Sequence, residues 1–151
     1  MGLDSYMFSS AAKLPSDVDF VHRDYAFFDP EDPFENGPDA KPGVIGKQFY
    51  AMRSHYLLHS WAERLYYAKG GVGHNGTCSI VVALNAMDVE VLAQAVRDKS
   101  FELLPRFENR RALNLRGTTY EDIVHASDTL MVEWCRRKLN HGLSIYYNGE
   151  W

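Results

Sequence analysis

The stretch that most constrains the fold is "VIGKQFYAMRSHYLLHSWAERLYYAK", Val44–Lys69. It holds no proline, its one glycine lies near its start, and it runs into Gly70–Gly71, where a helix would stop. Wound at about 100° per residue, it sets Ile45, Phe49, Met52, Tyr56, His59 and Tyr66 on one face. Tyr50, Leu57, Leu58, Trp61 and Leu65 cover much of the opposite side. A helix that is apolar on two sides must be covered on two sides. The rest of the chain therefore has to wrap a central, largely buried helix.

Other segments supply the wrapping. "LDSYMFS", Leu3–Ser9, reads as a first strand, and Val18–Phe28 has room for a short edge strand. Asp29–Gly43 carries four prolines and two glycines, which excludes a helix or a central strand and predicts an exposed loop. "TCSIVVAL", Thr77–Leu84, has the β-branched density of a strand. Asn85 opens a helix over Ala86–Lys99, with Asp88 placed for a capping box. "LLPRFENRR" connects to "ALNLRGTT", read as a short strand. In "TTYEDIVHASDTLMVEWCRRKLNHG", Thr118 or Thr119 is expected to cap a third helix that Gly142 ends. Glu121 and Asp122 lie in its first turn and Arg136, Arg137 and Lys138 in its last, each with the sign the helix dipole favours. "LSIYYNGEW" closes as a strand. The order predicts an α+β fold, a small antiparallel sheet packed with three helices, in one domain over residues 1–151 with the exposed loop at 29–43.

Composition narrows the class. With 16 basic and 20 acidic residues, the net charge is −4, which argues against binding a nucleic-acid backbone through a dense basic surface. It leaves room for a local basic pocket. No apolar run approaches the ~20 residues of a membrane span. "MGLDSYMFSS" has neither the basic segment nor the apolar core of a secretory signal. With only Cys78 and Cys135 as thiols, a reduced, cytoplasmic protein is the expectation.

Several residues could carry chemistry. His55 and His59, four apart on a helix, could both reach one metal, with His74 or Cys78 completing the set. No glutamate follows His55 and no cysteine pair supports zinc, so no metal and no cofactor are expected. Cys78 paired with His59 has the residue types of a nucleophile and its base; the bland reading is a buried thiol in a strand. Arg53 stands out, because a helix covered on two sides has little room for a guanidinium unless an anion meets it. Its alternative is a polar stripe shared with Arg64. Arg106, Arg110, Arg111 and Arg116 form a basic stretch beside Phe107. Trp151, after Tyr146–Tyr147, is expected to dock rather than fray. The candidate ligand site is thus Arg53, His59, Trp61, Cys78, Tyr147 and Trp151, with aromatics to stack a ring and an arginine to hold a phosphate.

Read in order, "MGLDSYMF", Arg53 with "HSW" six residues on, Cys78 past a glycine-rich turn, Leu103–Pro105, "GTTYED" and the terminal "YYNGEW" form a pattern. The pattern resembles small accessory proteins of tailed bacteriophages and prophages, over the first eight residues and about 44–151. The chain departs from it at Glu150, where the family often has Ser, and in its long 29–43 loop. The resemblance implies a phage protein acting in a bacterial host's cytoplasm, for host takeover or counter-defence, and implies no particular reaction. Three functions are compatible with these residues. One is binding of a small anionic ligand, with nucleotide-like molecules in that class. The second is inhibition of a host enzyme by protein–protein contact through the acidic Asp29–Asp39 loop. The third is a small hydrolase using His59 and Cys78.

Overall fold

A computed structural model describes residues 2–20, 46–73, 79–113 and 116–150. Four strands form one antiparallel sheet: β1 (Asp4–Ser10), β2 (Lys47–Arg53), β3 (Ile80–Leu84) and β4 (Ser144–Glu150), in the order β2-β1-β4-β3. The helices are α1 (Tyr56–Ala68), α2 (Ala86–Asp98), α3 (Glu108–Ala112, preceded by a 3₁₀ turn at Pro105–Phe107) and α4 (Asp122–Asn140). The fold is α+β, as the order of elements predicts.

Alternation sorts the strand side chains onto two faces. Met7, Ile145, Tyr147, Ile80, Val82 and Leu84 face the helices and join Leu58, Leu92, Met131 and Cys135 in the main core. Tyr6, Phe8, Tyr146 and Val81 point to the other face, where Leu14 and Phe20 pack on them. One irregularity serves this sorting. Met7 pairs with Tyr50 and Phe8 with Gln48, so Phe49 is an extra residue, and both Phe49 and Tyr50 reach the helix side. Backbone from Asp17 to Asp19 bonds to Val81 and Ala83 along the outer edge of β3, so the start of the segment expected to hold an edge strand, Val18–Phe28, runs along an edge; residues 21–28 lie outside the described residues. The 29–43 loop lies outside the described residues.

The long helix expected over Val44–Lys69 is instead a strand and a shorter helix. Lys47–Arg53 pairs along β1, and Ser54 turns the chain with a left-handed φ of 57°. His55 then caps α1, its Nδ1 accepting from the Leu58 backbone N–H at 3.3 Å. Pairing with a hydrophobic neighbour strand has overridden local helix preference. Within α1 the two-sided burial holds, since Tyr56, Leu57, Leu58, His59, Ala62 and Tyr66 are all buried. Gly70, with φ 93°, ends the helix region.

Two further expectations change. α4 starts at Asp122 with Glu121 at its cap position and no side-chain cap, while Thr118 is fully buried one turn earlier. The expected strand at 112–119 is not formed among the described residues there; Gly117, with φ 85°, turns the chain. The Asn85–Asp88 capping box of α2 is present with both bonds at 2.9 Å.

Candidate functional site

α4 carries a carboxylate on its apolar face. Asp128 is fully buried beside Met131, Val132 and Cys135. Three elements send donors to it: Tyr50 of β2 donates its hydroxyl to Oδ1 at 2.8 Å, and the Tyr120 hydroxyl donates to Oδ2 at 2.5 Å. His55 completes the set, its Nε2 lying 2.8 Å from Oδ2. Because His55 Nδ1 accepts from Leu58, the ring proton belongs on Nε2, donated to Asp128. Burial, reinforced by Asp128, pushes the Tyr50 and Tyr120 hydroxyls well above their ordinary pKa, so both remain donors. A buried carboxylate with three donors is satisfied, each such bond being worth about 1.5–3 kcal/mol.

Next to this network a pocket of about 180 Å³ opens between the end of β2 and the start of α4. Ser54, His55, Thr119 and Ser127 give it polar walls, Met52, Ile123 and Val124 apolar ones, and Arg53, Arg116 and Glu121 lie around it. The two loops that frame it are clamped. A Cβ on Gly117 would lie 1.3 Å from the Ser54 carbonyl oxygen, so only glycine permits the approach. Ser54 itself holds a left-handed conformation, which costs a non-glycine residue about 1–3 kcal/mol and concentrates at functional sites. Its backbone N–H is fixed to Leu3 O at 2.6 Å.

Arg53 was expected on the central helix. It sits at the end of β2, its side chain 86% exposed and 3.4 Å from Asp4. It lines the α4 pocket, which His59, Trp61 and Tyr147 do not. Among the described residues Arg116 has no ion pair, so it is the cation of this pocket that remains to be answered.

His59 belongs to a second network, sealed in the core. Its Nδ1 is 2.9 Å from the Tyr147 hydroxyl, which is 2.9 Å from Ser5 Oγ. Its Nε2 is 3.3 Å from Glu63 Oε2, one helical turn on, and Arg106 grips both oxygens of that carboxylate. Gly149 makes the room: a Cβ there would come 2.6 Å from His59 Nδ1 and 2.8 Å from the Tyr147 hydroxyl. Burial lowers the His59 pKa against the pull of Glu63, which keeps the imidazole neutral. Burial would raise Glu63, but Arg106 and then His59 overcome it and hold its carboxyl down at about 2. His59 has 0% exposure, so no solvent-borne substrate meets it.

The six predicted residues therefore divide. His59 and Tyr147 are brought together as an internal hydrogen-bonded pair. Arg53 serves a different pocket. Trp61 is half-buried and packs against the main core. Cys78 and Trp151, like His74, lie outside the described residues. His55 and His59 do not share a ligand position, since each ring is committed to its own carboxylate. Among the described residues, no group of three or more His, Cys, Asp or Glu side chains is arranged to hold a metal ion. No described helix is long and apolar enough to cross a membrane.

Sequence reasoning missed Asp128, Tyr50, Tyr120 and Ser54. Asp128 had a signal: it stands three, four and seven residues before Met131, Val132 and Cys135, a carboxylate on an apolar helix face. Such a residue must find donors, and the question of where they come from leads to His55. No protein-family model, no curated protein and no solved structure matches the chain.

Proposed function

We propose that the chain is a binding protein for a small anionic, nucleotide-like ligand, held in the pocket at the start of α4. The observation that carries this reading is the set of Arg116, Arg53 and the hydroxyls of Ser54, Thr119 and Ser127 around one opening. Guanidinium forks match the geometry of phosphate and carboxylate oxygens, and hydroxyl donors suit the remaining ones. Asp4 holds Arg53 and Glu121 stands nearby, so Arg116 supplies most of the attraction. The space corresponds to roughly six waters at about 30 Å³ each, below the ~300 Å³ of a typical ligand pocket. It suits an anionic group with a short apolar part, the remainder of the ligand lying outside the opening. The one imidazole at the pocket has both nitrogens engaged inside the protein, which favours binding over acid–base chemistry. The ordered resemblance to phage accessory proteins supports a setting in an infected bacterial cytoplasm, with the ligand a host nucleotide or signal.

The test is retention. Protein incubated with a bacterial nucleotide extract, re-purified and analysed by mass spectrometry should carry an anionic metabolite. Arg116→Ala should lose it, while His59→Ala, which alters only the sealed network, should keep it. Retention abolished by His59→Ala in a folded variant, and untouched by Arg116→Ala, would refute this assignment.

A further inference from the structure

Among the described residues nothing covers one apolar stripe of α4. Ile123, Leu130 and Trp134 are 76, 62 and 46% exposed. With Ser127 and Arg137 they follow one another in steps of four, three, four and three, the spacing of a helix–helix seam rather than of scattered surface residues. The opposite face, with Asp128, Met131, Val132 and Cys135, is the one the core takes.

We propose that the stripe is covered by a second copy of the same chain, with the two α4 helices antiparallel about a two-fold axis at Leu130. The sequence is self-complementary in that arrangement and in no parallel one. Residues four either side of Leu130 face each other, which sets Trp134 on the exposed, small Ala126 of the partner copy. Residues seven either side also meet, laying the aliphatic stem of Arg137 on the partner's Ile123, as long cationic side chains do over apolar surface. On the same flank of the seam the Arg137 guanidinium reaches the partner's Asp122, whose side chain is fully exposed and holds a 3.7 Å contact to Lys99. Asp122 of the first turn thus meets Arg137 of the partner's last turn, twice, by symmetry. A parallel pairing would oppose like charges at each end. The seam is only about 21 Å long at 1.5 Å per residue and holds three large apolar side chains per copy, so the dimer is weak and concentration-dependent. Ile123 also lines the α4 pocket, so the pairing brings the partner's Arg137 to its rim. That last point alone rests on the anion-binding reading; the dimer does not.

Sedimentation velocity of the full chain without added ligand tests the proposal. A dimer fraction that rises with concentration and falls with salt is expected. Leu130→Glu should give a monomer at every concentration with an unchanged circular dichroism spectrum. Reversing one end with Asp122→Lys should weaken the dimer, and adding Arg137→Glu should restore it. A wild type that stays monomeric overturns the proposal, as does a dimer that survives Leu130→Glu; either would leave the stripe to a different protein. Loss of anion retention with the dimer intact would count against the proposed function only.

Discussion

Two buried carboxylates decide how this core is built, and they are satisfied in different ways. Asp128 is met by three neutral donors, and Glu63 by a guanidinium and a neutral imidazole. Removing the first should be the more damaging change in the core. Asp128→Ala leaves two tyrosine hydroxyls and the His55 N–H without an acceptor, and at upwards of about 1 kcal/mol for each unsatisfied buried donor the loss comes to about 3–5 kcal/mol. At 2–4 °C per kcal/mol for a chain of this size, thermal melting should move down by roughly 6–20 °C; a shift within error would show that the network is not structural. The Glu63 network carries a pH signature. A histidine whose pKa is lowered on folding binds its proton more readily unfolded, so its share of stability is lost as pH falls below about 6.5. A depressed Glu contributes above its ordinary 4.5 and loses that contribution as pH falls towards 2. Melting of wild type should therefore decline in two stages on acidification. Glu63→Gln should begin lower, and its gap to wild type should narrow between about pH 4.5 and 2. A constant gap would place the depression of Glu63 in doubt.

Among the elements, β4 shows what the sequence made legible. "LSIYYNGE" alternates Ile145 and Tyr147 against Tyr146 and Asn148, a pattern that two covered faces require, and the strand lies in the middle of the sheet. α2 was equally plain, because Asn85 and Asp88 write its cap locally. β2 was not legible. "KQFYAMR" has residues that serve a helix as well as a strand, and what fixes it is β1, forty residues away and invisible to local pattern. With β2 misplaced, Arg53 was put on the wrong element and the pocket could not be assembled. The Ser54–Gly117 clamp was hidden for the same reason: two loops distant in sequence meet backbone to backbone. That clamp gives a discriminating test. Gly117→Ala must push Ser54 away and should cost more than Gly142→Ala, which has a similar positive φ but nothing within 4 Å. The second change should cost about 1–2 kcal/mol, the penalty of a Cβ in the left-handed region, the first more, together with loss of ligand retention. Equal costs in calorimetry would mean that the clamp is not tight.

At the scale of the whole molecule, the sheet and α4 divide the polar groups between an inside and a rim. The His59 line runs from Ser5 through Tyr147 and Glu63 inside the fold to a half-exposed Arg106, and ties β1, β4 and α1 together. The cations around the α4 pocket stand instead where solvent and solutes reach them, on a floor that the Asp128 network makes rigid. Preformed sites bind with less ordering to offset. Losing one charge-assisted contact of about 1.5–3 kcal/mol should weaken a phosphate-bearing ligand by roughly 10–100-fold, at 1.4 kcal/mol per decade. The most direct measurement is a titration of isotope-labelled protein with pyrophosphate, followed by backbone amide shifts in nuclear magnetic resonance. The account predicts saturable shifts gathered at Ser54–His55 and Arg116–Glu121, weakened at least tenfold in Arg116→Ala and unchanged in His59→Ala. Shifts centred on His59, Tyr147 and Gly149, or none that saturate, would contradict it.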